Sequence, residues 1–187
     1  MTWQEIPGLT CDEDIAEYQR LVDLVPENGL IVEVGCHKGK SLGSLAEIIK
    51  RKHLRVIAVD IWDTIHLRWG EGFKSFGKDS MLEFYQNVTA LGINPVMICG
   101  TSADAVCILN EKPDMVYLDA DHGYLPVKTD IEWWWPKIKK GAVLAGHDYD
   151  SGNPGVIQAV DEFRIKEVLL MKHGGKAVWS IRKEGHE

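Results

Sequence analysis

The chain has 187 residues, 45% of them hydrophobic, and a formal net charge of −7. This size predicts one domain, residues 1–187, with a sizeable core, and the hydrophobic content excludes a disordered chain. The acidic balance argues against a nucleic-acid partner, because binding to a phosphate backbone requires a basic surface. No apolar run approaches the roughly 18 residues that span a bilayer, so we expect no membrane partner.

Cysteine usage and the amino terminus predict a cytoplasmic protein. The four cysteines include no Cys-x-x-Cys pair, which argues against a disulfide framework or a zinc site and favours a reducing compartment. The first residues show no basic start followed by an apolar stretch, so no secretory signal is predicted.

The first predicted element is a helix within residues 1–27. Thr10 and Glu13 have the spacing of a capping box, and the apolar residues behind them recur at helical spacing. Five short apolar runs follow, separated by helical patterns, as expected of buried parallel strands. These runs are Leu30–Val34, Val56–Val59, Val96–Cys99, Met115–Leu118 and Ala142–Ala145. The tail predicts an antiparallel hairpin, with strands at Glu167–Met171 and Ala177–Ile181.

Residues 61–78 differ from the rest of the chain. They carry Trp62, Trp69, Phe73 and Phe76 among several glycines, with no clean period. A long irregular segment in a compact domain is often a lid or a binding loop. The aromatic content favours a lid insertion over the alternative, a poorly ordered surface loop.

The loop after the first strand, Glu33 to Ser41, allows three interpretations. Gly39 to Ser41 resembles the end of a phosphate-binding loop, but the first glycine of that motif falls on Val34, which weakens the case for a nucleotide hydrolase. A dinucleotide fingerprint needs a glycine where His37 stands. The third interpretation is a nucleoside cofactor without pyrophosphate, whose ribose diol donates to the carboxylate of Asp60.

The third interpretation agrees with a family resemblance that covers most of the chain. The segments that carry it are Glu33–Ser41, Val59–Trp62, Gly100–Ser102, Leu118–Tyr124, Asp130 and Gly146–Tyr149. In these segments the chain resembles class I S-adenosylmethionine-dependent methyltransferases, particularly the small sugar and natural-product O-methyltransferases. The resemblance implies an α/β fold. It is a doubly wound, Rossmann-like sheet of seven strands, mostly parallel, with a C-terminal antiparallel hairpin.

The resemblance also implies the cofactor, S-adenosyl-L-methionine, and its contacts. Glu33 and Gly35 would line the methionine end, Asp60 would hold the ribose, and Ser102 would lie near the adenine. The complete set of expected cofactor residues is Glu33, Gly35, Cys36, His37, Gly39, Ser41, Asp60, Ile61, Trp62, Thr101, Ser102 and Asp119.

The expected reaction is transfer of the methyl group to a hydroxyl of a small molecule. A methyl sulfonium is already a strong electrophile, so the enzyme mainly aligns the acceptor and removes its proton. One route uses Mg²⁺ or another divalent cation on Asp119, Asp148 and Asp121. The other route is metal-independent and uses His122 or His147 as general base, with Asp119 beside them.

Two points stay open at this level. A cofactor-binding module that has lost catalysis would carry the same cofactor motifs. The acceptor and the oligomeric state, including a homo-oligomer, are not fixed by the sequence.

Overall fold

A computed structural model describes residues 1–62, 80–167 and 169–184. Within these residues, seven strands form one sheet in the order β3-β2-β1-β4-β5-β7-β6. The strands are β1 (Leu30–Val34), β2 (Arg55–Asp60), β3 (Val96–Cys99), β4 (Met115–Leu118), β5 (Val143–Gly146), β6 (Met171–Gly174) and β7 (Val178–Arg182). Strands β1 to β5 are parallel, whereas β7 runs antiparallel to both β5 and β6. The predicted fold class is therefore confirmed.

Helices cover both faces of the sheet. They are α1 (Asp12–Val22), α2 (Lys40–Gly43), α3 (Ala46–Lys52), α4 (Ser80–Ala90), α5 (Ser102–Ile108), α6 (Tyr124–Lys137) and α7 (Pro154–Lys166), with a short 3-10 turn at Trp3–Glu5. Among the described residues, no helix is long and apolar enough to cross a lipid bilayer. The predicted lid falls outside the described residues from residue 63 onward.

Two hydrophobic clusters form the core, one on each face of the sheet. Tyr18 and Leu42 belong to the cluster under α1 to α4, whereas Ile131 and Val160 belong to the cluster under α6 and α7. Successive strand residues point to opposite faces, so a strand that is covered on both sides reads as one continuous apolar run. Complete burial of a side chain such as Leu42 or Ile131 contributes about 1.5–3 kcal/mol.

The ends of β2, β5 and β7 lie one residue from their predicted positions, and two other local predictions also differ from the structure. Helix α1 begins at Asp12 with Cys11 as its N-cap, one residue after the predicted capping residue Thr10. The first hairpin strand lies at Met171–Gly174, later than the predicted 167–171, because α7 continues to Lys166.

Candidate functional site

Strand β1 lies between β2 and β4 in the sheet, so the strand order reverses beside it. Ligands of such open sheets bind outside the carboxyl ends of the strands at this reversal. The loops that follow β1, β2, β4 and β5 contain most of the predicted site residues. The structure therefore brings these loops to the edge where a ligand is expected.

The glycine loop after β1 has a backbone that few other residues could adopt. Gly35 has φ 91°, and a Cβ atom built on it would lie 2.0 Å from the carbonyl oxygen of Asp119. Gly39 has φ 85°, and its Cβ would lie 2.7 Å from Val88 Cγ1. Both the left-handed conformation and the lack of space require glycine here. The loop is thus packed directly against the segment that follows β4.

Asp60 at the end of β2 holds the glycine loop through backbone amides. Its Oδ2 accepts from the His37 amide and its Oδ1 accepts from the Trp62 amide, both at 2.7 Å. Trp62 Nε1 donates to the His37 carbonyl oxygen at 2.9 Å. His37 and Trp62 both have left-handed backbones, with φ 45° and 40°. A carboxylate oxygen can accept more than one hydrogen bond, so Asp60 could also accept from a diol.

Glu33 is completely buried beneath the loop. Its carboxyl group accepts hydrogen bonds from Ser41 Oγ at 2.6 Å and from Tyr18 Oη at 2.9 Å. Burial raises the pKa of Glu33 to about 8, against the effect of these two hydrogen bonds. The group is therefore largely protonated at neutral pH, and its oxygens face protein donors.

Cys36 is also buried, and burial raises the pKa of its thiol. Its Sγ lies 3.3 Å from the Glu33 carbonyl oxygen, to which it donates. The side chain of Cys36 is thus a small apolar part of the core.

The residues after β3 are engaged in helix capping and side-chain contacts. Thr101 is the N-cap of α5 and forms a capping box with Asp104. Ser102 Oγ accepts from Trp134 Nε1 at 2.9 Å. Burial raises the pKa of Asp130 to about 6, although a hydrogen bond with Ser102 opposes this. Ile61, next to Asp60, is half-buried.

A cluster of acidic and histidine side chains lies at the ends of β4 and β5. Asp119, His122 and Asp148 each offer one ligand atom, and these atoms all lie within 4.8 Å of one another. His122 Nε2 is 2.9 Å from Asp148 Oδ2. His147 Nδ1 lies 3.4 Å from Asp148 Oδ1 and 3.7 Å from Asp119 Oδ1. Three hard or borderline ligands in this arrangement are suited to a divalent cation.

The pKa values of the four side chains in this cluster are shifted in different directions. Burial raises the pKa of Asp119 to about 7, with His147 opposing and Asp148 adding to the shift. Burial also disfavours charge on Asp148, but hydrogen bonds from His122 and His147 outweigh it and hold the pKa of Asp148 well below its usual range. For His147, burial is outweighed by the hydrogen bond to Asp148 and the charge of Asp119, which raise its pKa to about 9. The hydrogen bond to Asp148 also raises the pKa of His122.

Asp121 does not join this three-residue set, within the part of the chain that the structure describes. Its Oδ1 accepts from the Gly123 amide at 2.7 Å and so shapes the turn before α6. It does line the same small cavity as Asp119, His122 and Asp148.

Sequence reasoning missed Asp14 and Tyr18 as neighbours of the site. Asp14 Oδ2 lies 3.2 Å from His147 Nε2, and Tyr18 donates to Glu33. Asp14 stands in the first turn of α1, where acidic residues are common because they stabilise helix N-termini. Its helical spacing to Tyr18 and Leu21, four and seven positions later, is the signal that separates it from the exposed Asp12 and Glu13.

The family model of a methyltransferase domain matches residues 32–149, more than half of the chain. The chain therefore belongs to the methyltransferase domain family. Together with the fold, this confirms the predicted class, the class I S-adenosylmethionine-dependent methyltransferases. It also favours this interpretation over the nucleotide hydrolase.

Solved structures share the fold at low sequence identity. The O-methyltransferase NovP is 18% identical with a TM-score of 0.71, over 92% of this chain and 80% of NovP. An rRNA methylase from Streptococcus thermophilus is 14% identical with a TM-score of 0.66, over 95% and 100% of the two chains. SMU.1697c from Streptococcus mutans, solved in complex with SAH, is 14% identical with a TM-score of 0.65, over 94% and 99%. No curated protein sequence matches the chain.

Proposed function

We propose that the protein transfers the methyl group of S-adenosylmethionine to a hydroxyl of a small molecule, such as a sugar or a natural product. The observation that carries the proposal is the convergence of Asp119, His122 and Asp148 beside the glycine loop. A cluster of this kind can position a hydroxyl acceptor and take up its proton at the place where the reactive end of the cofactor is expected. NovP, which is an O-methyltransferase, supports the choice of a small acceptor.

In this proposal the cofactor lies along the carboxyl edge of the sheet. Its base lies near Ser102 after β3, its ribose at Asp60 after β2, and its methionine part over the Gly35 loop. The sulfonium methyl then points to Asp119 and Asp148. The remaining predicted contacts, Cys36, His37, Gly39, Ser41, Ile61, Trp62 and Thr101, belong to the loops that form this edge.

A divalent cation would be held by Asp119 and Asp148, with His122 as third ligand. The donor set fits such an ion, because two close carboxylates with opposed pKa shifts are stabilised by a positive charge between them. Bound there, the cation would lower the pKa of the acceptor hydroxyl. Asp121 would have to leave the Gly123 amide to join as a ligand, so we give it a supporting role.

The metal-independent alternative uses His122 as general base. The His122 side chain is 50% exposed, and Asp148 holds it through Nε2 at 2.9 Å. His147 is less suited to the role, because both of its ring nitrogens already face carboxylates. Under either alternative we propose that His147 orients Asp119 and Asp148, the acidic pair.

A small acceptor is favoured over RNA by the net charge of −7, because RNA binding requires a basic surface. Radiolabelled methyl transfer to a panel of hydroxylated compounds and to ribosomal RNA, with and without EDTA, separates the alternatives. Transfer to a small hydroxylated compound that stops with EDTA supports the metal-assisted route. Transfer to RNA alone would reject the proposal.

Cofactor binding is tested by calorimetry with S-adenosylhomocysteine and with ATP. We expect only the first to bind, and Asp60→Ala to weaken it by roughly a hundredfold or more, because two hydrogen bonds to a charged group, at about 1.5–3 kcal/mol each, are lost. Asp23→Ala, which changes an exposed acid paired with Arg51 and lying outside the proposed cofactor site, is the matched control. Binding of ATP alone, or full affinity in Asp60→Ala, would contradict the proposal.

A further inference from the structure

We propose that Asp14 of the N-terminal helix is a positioning residue for the active site and acts through His147. The structure places the Asp14 carboxylate between a turn of the C-terminal hairpin and the imidazole of His147. The inference deepens the proposed function and rests on it, since His147 matters only if the acidic pair beside it belongs to the site.

Asp14 is fixed from several directions although it carries a charge. It is 3% exposed, and its Oδ1 accepts from the backbone amides of Lys176 at 2.6 Å and Ala177 at 2.9 Å. Its Oδ2 accepts from Cys11 Sγ at 3.0 Å and faces His147 Nε2 at 3.2 Å. Buried carboxylates with this many donors are held in one rotamer. The carboxylate is therefore a rigid support.

His147 connects Asp14 to the acidic pair, because its two ring nitrogens face opposite sides. One ring nitrogen faces Asp14, and the other, Nδ1, faces Asp148 Oδ1 at 3.4 Å and Asp119 Oδ1 at 3.7 Å. The His147 side chain is 14% exposed. An imidazole held at both nitrogens cannot rotate about χ2 without losing both contacts, so its orientation is set by Asp14 at one end.

Asp14 and the hairpin turn both lie outside residues 32–149, the segment that matches the family model. The support for His147 is thus supplied by parts of this chain that the family match does not cover. Groups that orient a site's inner residues in this way affect affinity and rate without touching the ligand.

The substitution Asp14→Asn tests the inference at a single atom. The amide oxygen can still accept from Lys176 and Ala177, so the hairpin stays attached. The amide nitrogen then donates where the carboxylate accepted, and the hydrogen bond from His147 Nε2–H is lost. Cys11→Ala is the matched control, because it removes the other contact of Oδ2 and leaves His147 untouched.

The primary measurement is the ¹⁵N–¹H spectrum of the histidine side chains, with His147 assigned from His147→Gln. In the wild type we expect a slowly exchanging Nε2–H signal of His147. This signal should vanish in Asp14→Asn and persist in Cys11→Ala. Absence of the signal in the wild type, or its persistence in Asp14→Asn, would overturn the inference, and the wild-type result does not depend on the folding of Asp14→Asn.

The second measurement is the binding of Mn²⁺ by electron paramagnetic resonance, beside calorimetry with S-adenosylhomocysteine. Asp14→Asn should weaken Mn²⁺ binding by roughly tenfold, as for other groups that orient metal ligands, and leave the affinity for S-adenosylhomocysteine unchanged. Equal affinity for Mn²⁺ in variant and wild type would count against the positioning role. Failure of the wild type to bind S-adenosylhomocysteine would reject the proposed function and leave the spectroscopic result to decide on Asp14.

Discussion

Replacing Glu33 by glutamine should remove a loss of folding stability that grows as the pH rises. The Glu33 carboxyl group keeps its proton up to about pH 8 in the folded protein, whereas the ordinary value is 4.5. Between these values, folding takes up a proton, so stability falls as pH increases. Relative to alkaline pH, the contribution of Glu33 is fully present below about pH 4.5 and is lost once the pH passes about 8. Glutamine stays neutral at every pH.

The size of the effect follows from the two pKa values. A separation between 4.5 and about 8 corresponds to ~5 kcal/mol in total, of which about 4 kcal/mol falls between pH 5 and pH 9. The glutamine amide can still accept from one of the two hydroxyls, Ser41 and Tyr18, and donate to the other. We therefore expect Glu33→Gln to lose little at pH 5 and to exceed the wild type in stability at pH 9.

Urea unfolding followed by circular dichroism at pH 5, 7 and 9 measures this difference. Glu47→Gln, at an exposed position of α3, is the control for removing a carboxylate from the surface. The reasoning would be refuted if the difference in unfolding free energy between Glu33→Gln and wild type changed by less than about 1 kcal/mol from pH 5 to pH 9. Such a result would mean that Glu33 is ionised in the folded protein despite its burial.

Two further substitutions probe the loop and its support. Gly35→Ala should destabilise the protein by more than ~2 kcal/mol, because its Cβ would lie 2.0 Å from the Asp119 carbonyl oxygen. The control Gly141→Ala has φ 80° and nothing within 4 Å of the added Cβ, so it should cost only about 1 kcal/mol. Urea unfolding compares the two variants, and equal losses of stability would contradict the steric argument. Tyr18→Phe removes a donor to the buried Glu33 and should cost about 1–2 kcal/mol in the same assay, and a loss below 0.5 kcal/mol would show that another donor replaces it.

The buried strands were predictable because apolar side chains are needed on both of their faces. β1 and β4 have the bounds predicted from the sequence, since buried strands of a parallel sheet read as apolar runs. β3 also has its predicted bounds, although it is an edge strand with two exposed residues, because all four of its residues are apolar. β6 was misplaced because Met171–Gly174 contains Lys172 and His173 and therefore does not read as an apolar run.

The site was predictable only in part. A residue that follows a strand must lie at the carboxyl edge of the sheet, which is why Asp119, His122 and Asp148 could be expected near one another. The choice of His122 over Asp121 depends on a turn in which Asp121 binds the Gly123 amide. The support from Asp14 depends on how α1 packs against β7 and the turn before it, which local sequence does not encode.

The position of β7 has a consequence for any attempt to excise a minimal catalytic fragment. β7 pairs with β5 along Val143–Gly146, yet it follows β5 by more than thirty residues of sequence and lies beyond residue 149. Cutting the chain at the limits of the family match would expose an apolar ladder of β5 to solvent, and unpaired strands of this kind associate with one another. Such a fragment should precipitate, even though it retains every residue proposed here to contact the cofactor.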